Sequence, residues 1–334
     1  MTAPALRPIT DGLIRLRPPG PGDAIKLVAG RDEAFHRFLG PGADHPSPLA
    51  CIEAAGDVVG WVDYDLDRSW LEPGEVNVGY NVFASHRHRG YATRAVQLLM
   101  HHLATSTTHR TATLLIDPDN TDSLALAARV GFARTGDLDG NPYFKRAVPP
   151  LSYSDGVVTL RRPRPSDLDA DLEAKDQEQI RWLWLSGQQQ SWEAMTADEQ
   201  RMHAARVLAE RTEAFGVGPK WTFSVDGPDA DYVAYIDCDL ANEHVPAGEA
   251  NVSCSSHPRH RGRGFVSRGV RLAHRFLEEH TGCREAHIIV DSKNLASLRI
   301  PASLGIPEHS RWTDEVGRTM VRYVHRLKGS VPAP

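Results

Sequence analysis

Short alternating runs and one longer helical stripe recur twice along the chain, in the same order. Each half opens with a strand, Leu13-Ile-Arg-Leu-Arg17 or Val157-Val-Thr-Leu-Arg161, that runs into a Pro-rich turn and an acid, Asp23 or Asp167. Residues 50–66 and 221–240 are apolar runs broken by a turn, which predicts a hairpin in each half. The first turn is expected at Gly56-Asp57, and the second is longer. A third strand, residues 75–83 or 249–255, leads into a turn of arginine and glycine. The helix predicted after it has apolar residues at Ala92, Ala95, Val96, Leu99 and Leu103, and its counterpart at Val266, Gly269, Val270, Ala273 and Leu277. Both sets follow the spacing of one buried helical stripe. A further strand (111–117; 286–291) and a helix start at Asn120 or Asn294 complete the series. Strands interleaved with helices predict α/β (α+β) domains with helices packed on a sheet.

The repetition is metric as well. RHRGYATRAV at 87–96 and RGRGFVSRGV at 261–270 stand 174 residues apart. The same spacing links Glu75 with Glu249, Asp63 and Asp65 with Asp237 and Asp239, Asp117 and Asn120 with Asp291 and Asn294, and Gly131 with Gly305. Constant spacing over so many landmarks means two copies of one domain. The opening strands are only 144 residues apart, so about thirty extra residues lie early in the second copy. The latter half of that insert has helical spacing and good helix formers. The expected domains are residues 1–148 and 156–334, joined by a linker at 149–155.

Composition narrows the class. At 334 residues the chain suits two domains, each with its own core. It is 41% hydrophobic and 24% charged, as in soluble globular proteins, and no apolar run approaches the roughly 18 residues of a membrane span. The N-terminus, MTAPALRPITDG, lacks a signal-peptide core. Cys51, Cys238, Cys254 and Cys283 have no metal-ligand or redox spacing and read as reduced thiols of a cytoplasmic protein. The pairs His86/His88 and His101/His102 have no Cys or carboxylate companions, so no metal is expected. A net charge of −5 argues against bulk nucleic-acid binding.

The chemistry concentrates in Arg87-His-Arg-Gly-Tyr-Ala92. A strand ends there, the chain turns and a helix begins, so unpaired N–H donors and a positive dipole end are offered to an anion. Gly90 lets backbone approach a ligand, and Arg87 and Arg89 add charge. A glycine before a surface helix is also an ordinary turn. The downstream Asn120-x-x-Ser123 and Gly131-Phe132 favour phosphate over that reading.

With those residues in place, the strand–turn–helix resembles the Q/R-x-x-G-x-G/A acyl-CoA motif of the GNAT superfamily of N-acetyltransferases. DPDNTDSLALAARVGF resembles the superfamily's next motif, Asn-x-x-Ser/Ala…Gly-Phe. The LRLR-type opening strand, here Leu13-Ile-Arg-Leu-Arg17, and the NVGY before the turn are similar to the branch that acetylates ribosomal-protein N-termini and small amines. The resemblance covers nearly the whole chain, once per half. It implies two tandem domains, each a mixed, largely antiparallel sheet splayed at the acyl-CoA strand with helices on both faces. It also implies acetyl-CoA or another acyl-CoA as co-substrate, attacked directly by an amine.

Carried over residue by residue, the resemblance makes Arg87, His88, Arg89, Gly90, Tyr91 and Ala92 the pyrophosphate cradle, with Thr93 capping. Val82 and Phe83 would pair with pantetheine at a bulge that leaves an N–H to polarise the thioester. Asn120 and Ser123 would face the thiol, Ser123 hydrogen-bonding the leaving thiolate; its other reading is a serine satisfying helix donors. Glu75 is the candidate base, acting through water, against the alternative of a solvated strand-edge carboxylate. Tyr143 is a substitute acid or a half-buried strand tyrosine.

The second copy keeps Arg261, Gly262, Arg263, Gly264 and Asn294 at the matching places. Val266, however, replaces the motif's small residue and is expected to crowd the pyrophosphate, while Pro301 is expected to disturb its helix and Ile306 replaces Phe. One active site is therefore expected, with acyl-CoA in the first domain. The acceptor is a small-molecule or peptide amine. The Asp63/Asp65 and Asp237/Asp239 pairs each share a strand face and suit a cation, or are a polar solvent face. Residues 257–275 hold six arginines and no acid, which suits a solvated helix face or a polyanion such as tRNA. An aminoacyl-tRNA donor, disfavoured by the net charge, and a binding-only protein are the rival functions. The oligomeric state is a monomer or homodimer.

Overall fold

The computed structural model describes residues 6–183 and 186–328. The ends of both expected domains, the start of MTAPALRPITDG and two residues of the insert lie outside them. The chain divides into two compact units. One holds the residues up to Pro150 together with Leu277–Cys283, and the other holds residues 151–276 and 284–330. The membership of 277–283 departs from a simple division at the linker.

In the first unit the order is β1 (Ile9–Thr10), β2 (Ile14–Arg17), α1 (Asp23–Ala29), α2 (Glu33–Leu39), β3 (Ala50–Ala54), β4 (Asp57–Asp65), β5 (Glu75–Val82), α3 (Tyr91–Ser106), β6 (Thr111–Leu115), α4 (Thr121–Arg129), β7 (Ala133–Leu138) and β8 (Asn141–Ala147). They form one eight-stranded sheet in the order β1-β2-β3-β4-β5-β6-β8-β7. Only β5 and β6 run parallel. Strand alternation divides the core between two faces. Ala50 and Ile52 join the α3 residues Ala95, Val96, Leu99 and Leu103 on one face, whereas Cys51 and Val58 meet Leu27 of α1 on the other. Full burial of a side chain such as Leu99 contributes about 1.5–3 kcal/mol. The hairpin turn is one residue earlier than expected: Ala54 pairs with Asp57, and Ala55 and Gly56 both take positive φ, as a two-residue twisted turn requires.

The second unit repeats the sheet. Its elements are β9 (Tyr153–Ser154), β10 (Thr159–Arg161), α5 (Leu168–Ala174), α6 (Gln177–Leu183), α7 (Ser186–Glu193), α8 (Ala197–Ala214), β11 (Lys220–Asp226), β12 (Ala234–Asp239), β13 (Ala250–Ser256), α9 (Phe265–His280), β14 (Glu285–Asp291), α10 (Leu295–Ser303), β15 (Glu308–Thr313) and β16 (Thr319–Arg326). The strand order is again sequential apart from the exchange of the last two, with β13 and β14 the parallel pair. The insert supplies α7 and α8. Helix α8 starts in a reciprocal cap in which Glu199 N–H donates to Thr196 Oγ1 (3.3 Å) and Thr196 N–H to Glu199 Oε2 (2.7 Å). Pro301 does not disturb α10, which has the same nine residues as α4.

Candidate active site

In both sheets the parallel strands part. β5 pairs with β6 only at Glu75, Val76 and Asn77, and β13 with β14 only at Ala250 and Asn251. No bulge produces this opening, contrary to expectation. β5 stays in register with β4 from Asn77 to Val82, and the irregularities of that sheet lie at Ile52/Glu53 and Arg134/Gly136. Register does the work instead. Phe83 N–H donates to Val59 O (2.9 Å), which commits Phe83 to β4 and turns the backbone of Tyr80 and Val82 toward the gap. Val82 therefore turns its backbone to the gap, and Phe83, expected beside it there, does not. The same alternation, set by His257 N–H on Val233 O (2.9 Å), turns Cys254 and Ser256 to the gap of the second domain.

Beyond each gap lies the arginine/glycine turn. Gly90 (φ 78°) and Gly264 (φ 74°) are left-handed, with open space where a Cβ would stand. The first helical bonds run from Arg94 N–H to Gly90 O (3.1 Å) and from Arg268 N–H to Gly264 O (3.3 Å). The donors of Tyr91, Ala92 and Thr93 or Phe265, Val266 and Ser267 precede the first helical bond, as at any helix N-terminus. His88 sits at φ 61° where the second copy has Gly262 at φ 75°. Thr93 does not cap: the cap residue is Gly90, and the Thr93 hydroxyl accepts from Arg129 (3.4 Å). Asn120 and Asn294 cap α4 and α10, each accepting at 3.1 Å from Ser123 N–H or Ser297 N–H.

The first arginine of each turn is committed elsewhere. Arg87 forks onto Asp32 at 2.7 and 2.9 Å and donates through Nε to Val82 O (3.0 Å). Arg261 forks onto Asp176 at 2.7 Å through both nitrogens. Each aspartate also caps the next helix, accepting from Phe35 N–H or Gln179 N–H. These arginines hold the turn to the early helical lobe rather than reaching a phosphate. Arg89 and Arg263 are exposed on the turn and keep that option.

Glu75 is not brought to the groove. It lies at the paired end of β5, only 8% exposed, and takes Lys145 Nζ at 2.5 Å and Glu72 N–H at 3.1 Å, with Tyr143 Oη at 3.4 Å. Burial pushes its pKa up, but the Lys145 ammonium and the Glu72 N–H outweigh it and leave the carboxyl below its ordinary range. Its repeat mate Glu249 binds the N–H groups of Arg284 (2.7 Å) and Glu285 (2.6 Å). Both acids fasten the strand base, and Tyr143 belongs with them rather than with a thiol.

The grooves differ in size. In the second domain a cavity of 430 Å³ is lined by Arg261, Gly262, Gly264, Phe265, Val266 and Ser267 of the turn, by Cys254 and Ser256 of the gap, and by Asn294 and Ser297. Val266 lines this cavity without closing it. Burial pushes the Cys254 thiol up to about 12, so it stays protonated. A second cavity of 570 Å³, walled by α5, α6, α7, α8 and the β11–β13 strands, shares Gln179 and Leu183 with the first. The first domain has a cavity of 210 Å³ at the matching place, lined by Val82, Arg87, Ala92, Asn120 and Ser123 but not by His88, Arg89, Gly90, Tyr91 or Thr93. Phe35 and Phe38 of α2 and Tyr80 of β5 stand in it. Burial raises the Tyr80 hydroxyl to about 12, opposed by Ser123 beside it.

Sequence reasoning missed Gln179 and Phe35. They occupy one position, the third after the capping aspartate, and keep the 144-residue spacing of the opening strands. Extending that spacing from Asp23/Asp167 to Asp32/Asp176 would have found them. The arginine-rich stretch is answered by acids from elsewhere: Arg259 by Glu173 (3.0 Å), Arg261 by Asp176 and Arg268 by Asp155 (2.7 Å). Asp237 is buried in the 570 Å³ cavity beside Lys220 (3.3 Å) and accepts from Thr222 Oγ1 (2.5 Å), so it is no bare cation site.

A family model described as an acetyltransferase (GNAT) domain matches residues 33–133 and again residues 158–306. Among solved structures, the chain is similar to a ribosomal-protein-S5-alanine acetyltransferase from Vibrio fischeri (12% identity, 54% of this chain and 99% of that one, TM-score 0.45). It is also similar to a ribosomal L7/L12 alpha-N-protein acetyltransferase in complex with coenzyme A (10% identity, 53% and 97%, TM-score 0.43). A third is an acetyltransferase of the GNAT family from Bacillus anthracis (11% identity, 52% and 98%, TM-score 0.41). No curated protein matches the chain.

Proposed function

The chain belongs to the acetyltransferase (GNAT) domain family, and on that premise we propose that it is an acetyl-CoA-dependent N-acetyltransferase whose working site lies in the second domain. The observation that carries this reading is adjacency: the cavity at the Arg261–Ser267 turn and the larger cavity under α5–α8 are both lined by Gln179 and Leu183. A donor groove and an acceptor pocket that share a wall are what direct transfer needs. The turn fits a pyrophosphate, since Gly262 and Gly264 leave open space and the α9 N-terminus supplies donors. The first domain keeps the fold and serves as a scaffold. This reverses the sequence-based preference for the first domain as the donor site.

Acetyl-CoA supplies an activated carbonyl on sulfur. The backbone N–H of Ser256 or Cys254 at the gap polarises that carbonyl. The amine attacks as its neutral form; the C–N bond forms, the C–S bond breaks, nitrogen gives up a proton and sulfur gains one. Ser297, at the groove beside the Asn294 cap, hydrogen-bonds the departing sulfur. An aminoacyl-tRNA donor has less to rest on, because Arg259, Arg261 and Arg268 are already paired.

The test is to incubate the full chain with acetyl-CoA and a panel of primary amines, following thiol release and the acetylated amine by mass spectrometry. Equimolar thiol and N-acetyl product are expected. Calorimetric binding of acetyl-CoA with no product from any amine would favour the binding-only rival.

A further inference from the structure

The 570 Å³ cavity of the second domain falls in the size range of sites for single small molecules. Its charges are Asp171 and Asp237 against Lys175, Arg211 and Lys220. Most are satisfied within the protein. Asp171 accepts from Tyr232 Oη (2.6 Å) and from Lys175, whose ammonium also lies over the Trp192 ring. Asp237 is taken by Thr222 and Lys220.

Arg211 is the exception. Its ion pair, to Asp171, is long at 3.6 Å, and among the described residues its guanidinium donates no hydrogen bond. It lies over the Tyr235 ring, 5.3 Å from the centroid, with its planar fork on the cavity wall. Burial works against its charge, but Asp237 and Asp171 keep it protonated. A guanidinium fork with unused donors suits a carboxylate in two-point contact.

The second observation is independent. Gln179 is only 6% exposed, and its Oε1 has no hydrogen-bond partner. It lines both cavities, at the place where an amine must meet the thioester. A buried amide oxygen without a donor is costly unless something supplies an N–H. Trp192, Met195 and Tyr235 offer an apolar wall between these two polar points.

We propose that the acceptor is an amino-acid-like small molecule, carrying a primary amine and a carboxylate together, with Arg211 receiving the carboxylate and Gln179 Oε1 the amine N–H. This rests on the second-domain reading given above. It also replaces the cationic acceptor that the strand aspartates suggested.

The experiment compares matched acceptors with acetyl-CoA on the full chain: phenylalanine with phenethylamine, tyrosine with tyramine, histidine with histamine. The carboxylated member of each pair is expected to have the higher kcat/KM by at least about tenfold. Arg211→Gln is expected to raise KM for the carboxylated amines about tenfold and to change phenethylamine by less than about twofold, with partial recovery in Arg211→Lys. Equal or better turnover of the decarboxylated amines by the wild-type chain overturns the proposal, and needs no variant to fold. Parallel loss on both members in Arg211→Gln also overturns it. A calorimetric acetyl-CoA titration separates the two layers. Binding, with no carboxylated amine turned over, sinks this inference alone; absence of binding sinks the donor site and the inference with it.

Discussion

Phe35 in the first domain and Gln179 in the second hold the same place, three residues past an aspartate that caps the helix and grips the first arginine of the turn. One is a ring that lines its groove; the other is an amide that lines two adjacent cavities. The next difference follows the same direction, with Tyr80 facing the gap where the second domain has Cys254. These pairs accompany a cavity of 210 Å³ against one of 430 Å³ on identical strand order. The motif residues taken as erosion, Val266 and Pro301, alter neither the turn nor its helix. Motif letters and groove volume therefore rank the domains in opposite orders.

The sharpest way to break this comparison is at the two left-handed glycines. Gly264→Glu places a carboxylate where phosphate oxygens are expected and should lower acetyl-CoA-dependent turnover by at least about a hundredfold. Gly90→Glu should change it by less than about twofold. Initial rates of thiol release decide between them, and the reverse pattern would return the working site to the first domain. Exchange of the gatekeeping residues comes next. Gln179→Phe should cut amine turnover about thirtyfold while calorimetry still detects acetyl-CoA, because it places a ring where the two cavities adjoin and leaves the turn unchanged. Phe35→Gln should leave turnover unchanged.

A smaller effect concerns what the domains share. Arg87 holds the Asp32 carboxyl below its ordinary value of 3.8, and Arg261 does the same for Asp176. A carboxyl with a lowered folded-state pKa contributes stability above its ordinary value, and that stability is lost as the pH falls through the lowered one. Asp32→Asn and Asp176→Asn keep the helix caps but remove the ion pairs. Each should cost about 0.5–1 kcal/mol at pH 7, and the cost should fade as the pH drops below the ordinary carboxyl value and through the lowered one. Urea midpoints across that range check both variants, and equal costs would mark the fork as a common feature of the fold.

Most of the fold was legible because its signals are local. The alternating strands, the helical stripe from Ala92 to Leu103 and the Asn120 and Asn294 caps all act within a few residues. The duplication was legible because spacing survives where identities drift. The site residues that failed were those whose meaning depends on a distant partner. Glu75 reads as an open carboxylate until Lys145 is placed beside it, 70 residues on. Arg87 reads as a phosphate ligand until Asp32 takes it from 55 residues away. The bulge failed for another reason: a splay can arise from strand divergence alone, with no residue inserted.

The Arg–Asp fork has one more consequence, for how such a protein can change. In the second domain it anchors the chain at Asp176, just ahead of the enlarged lobe, and the sheet anchors it again at Lys220. The corresponding stretch between helix and sheet grows from residues 40–49 to residues 184–219, slightly less than two doublings of length. Closing the longer loop costs only about 1 kcal/mol more in chain entropy. A lobe tethered in this way can be lengthened or replaced while the arginine/glycine turn keeps its position, so on the function proposed here acceptor choice is free to diverge faster than donor chemistry.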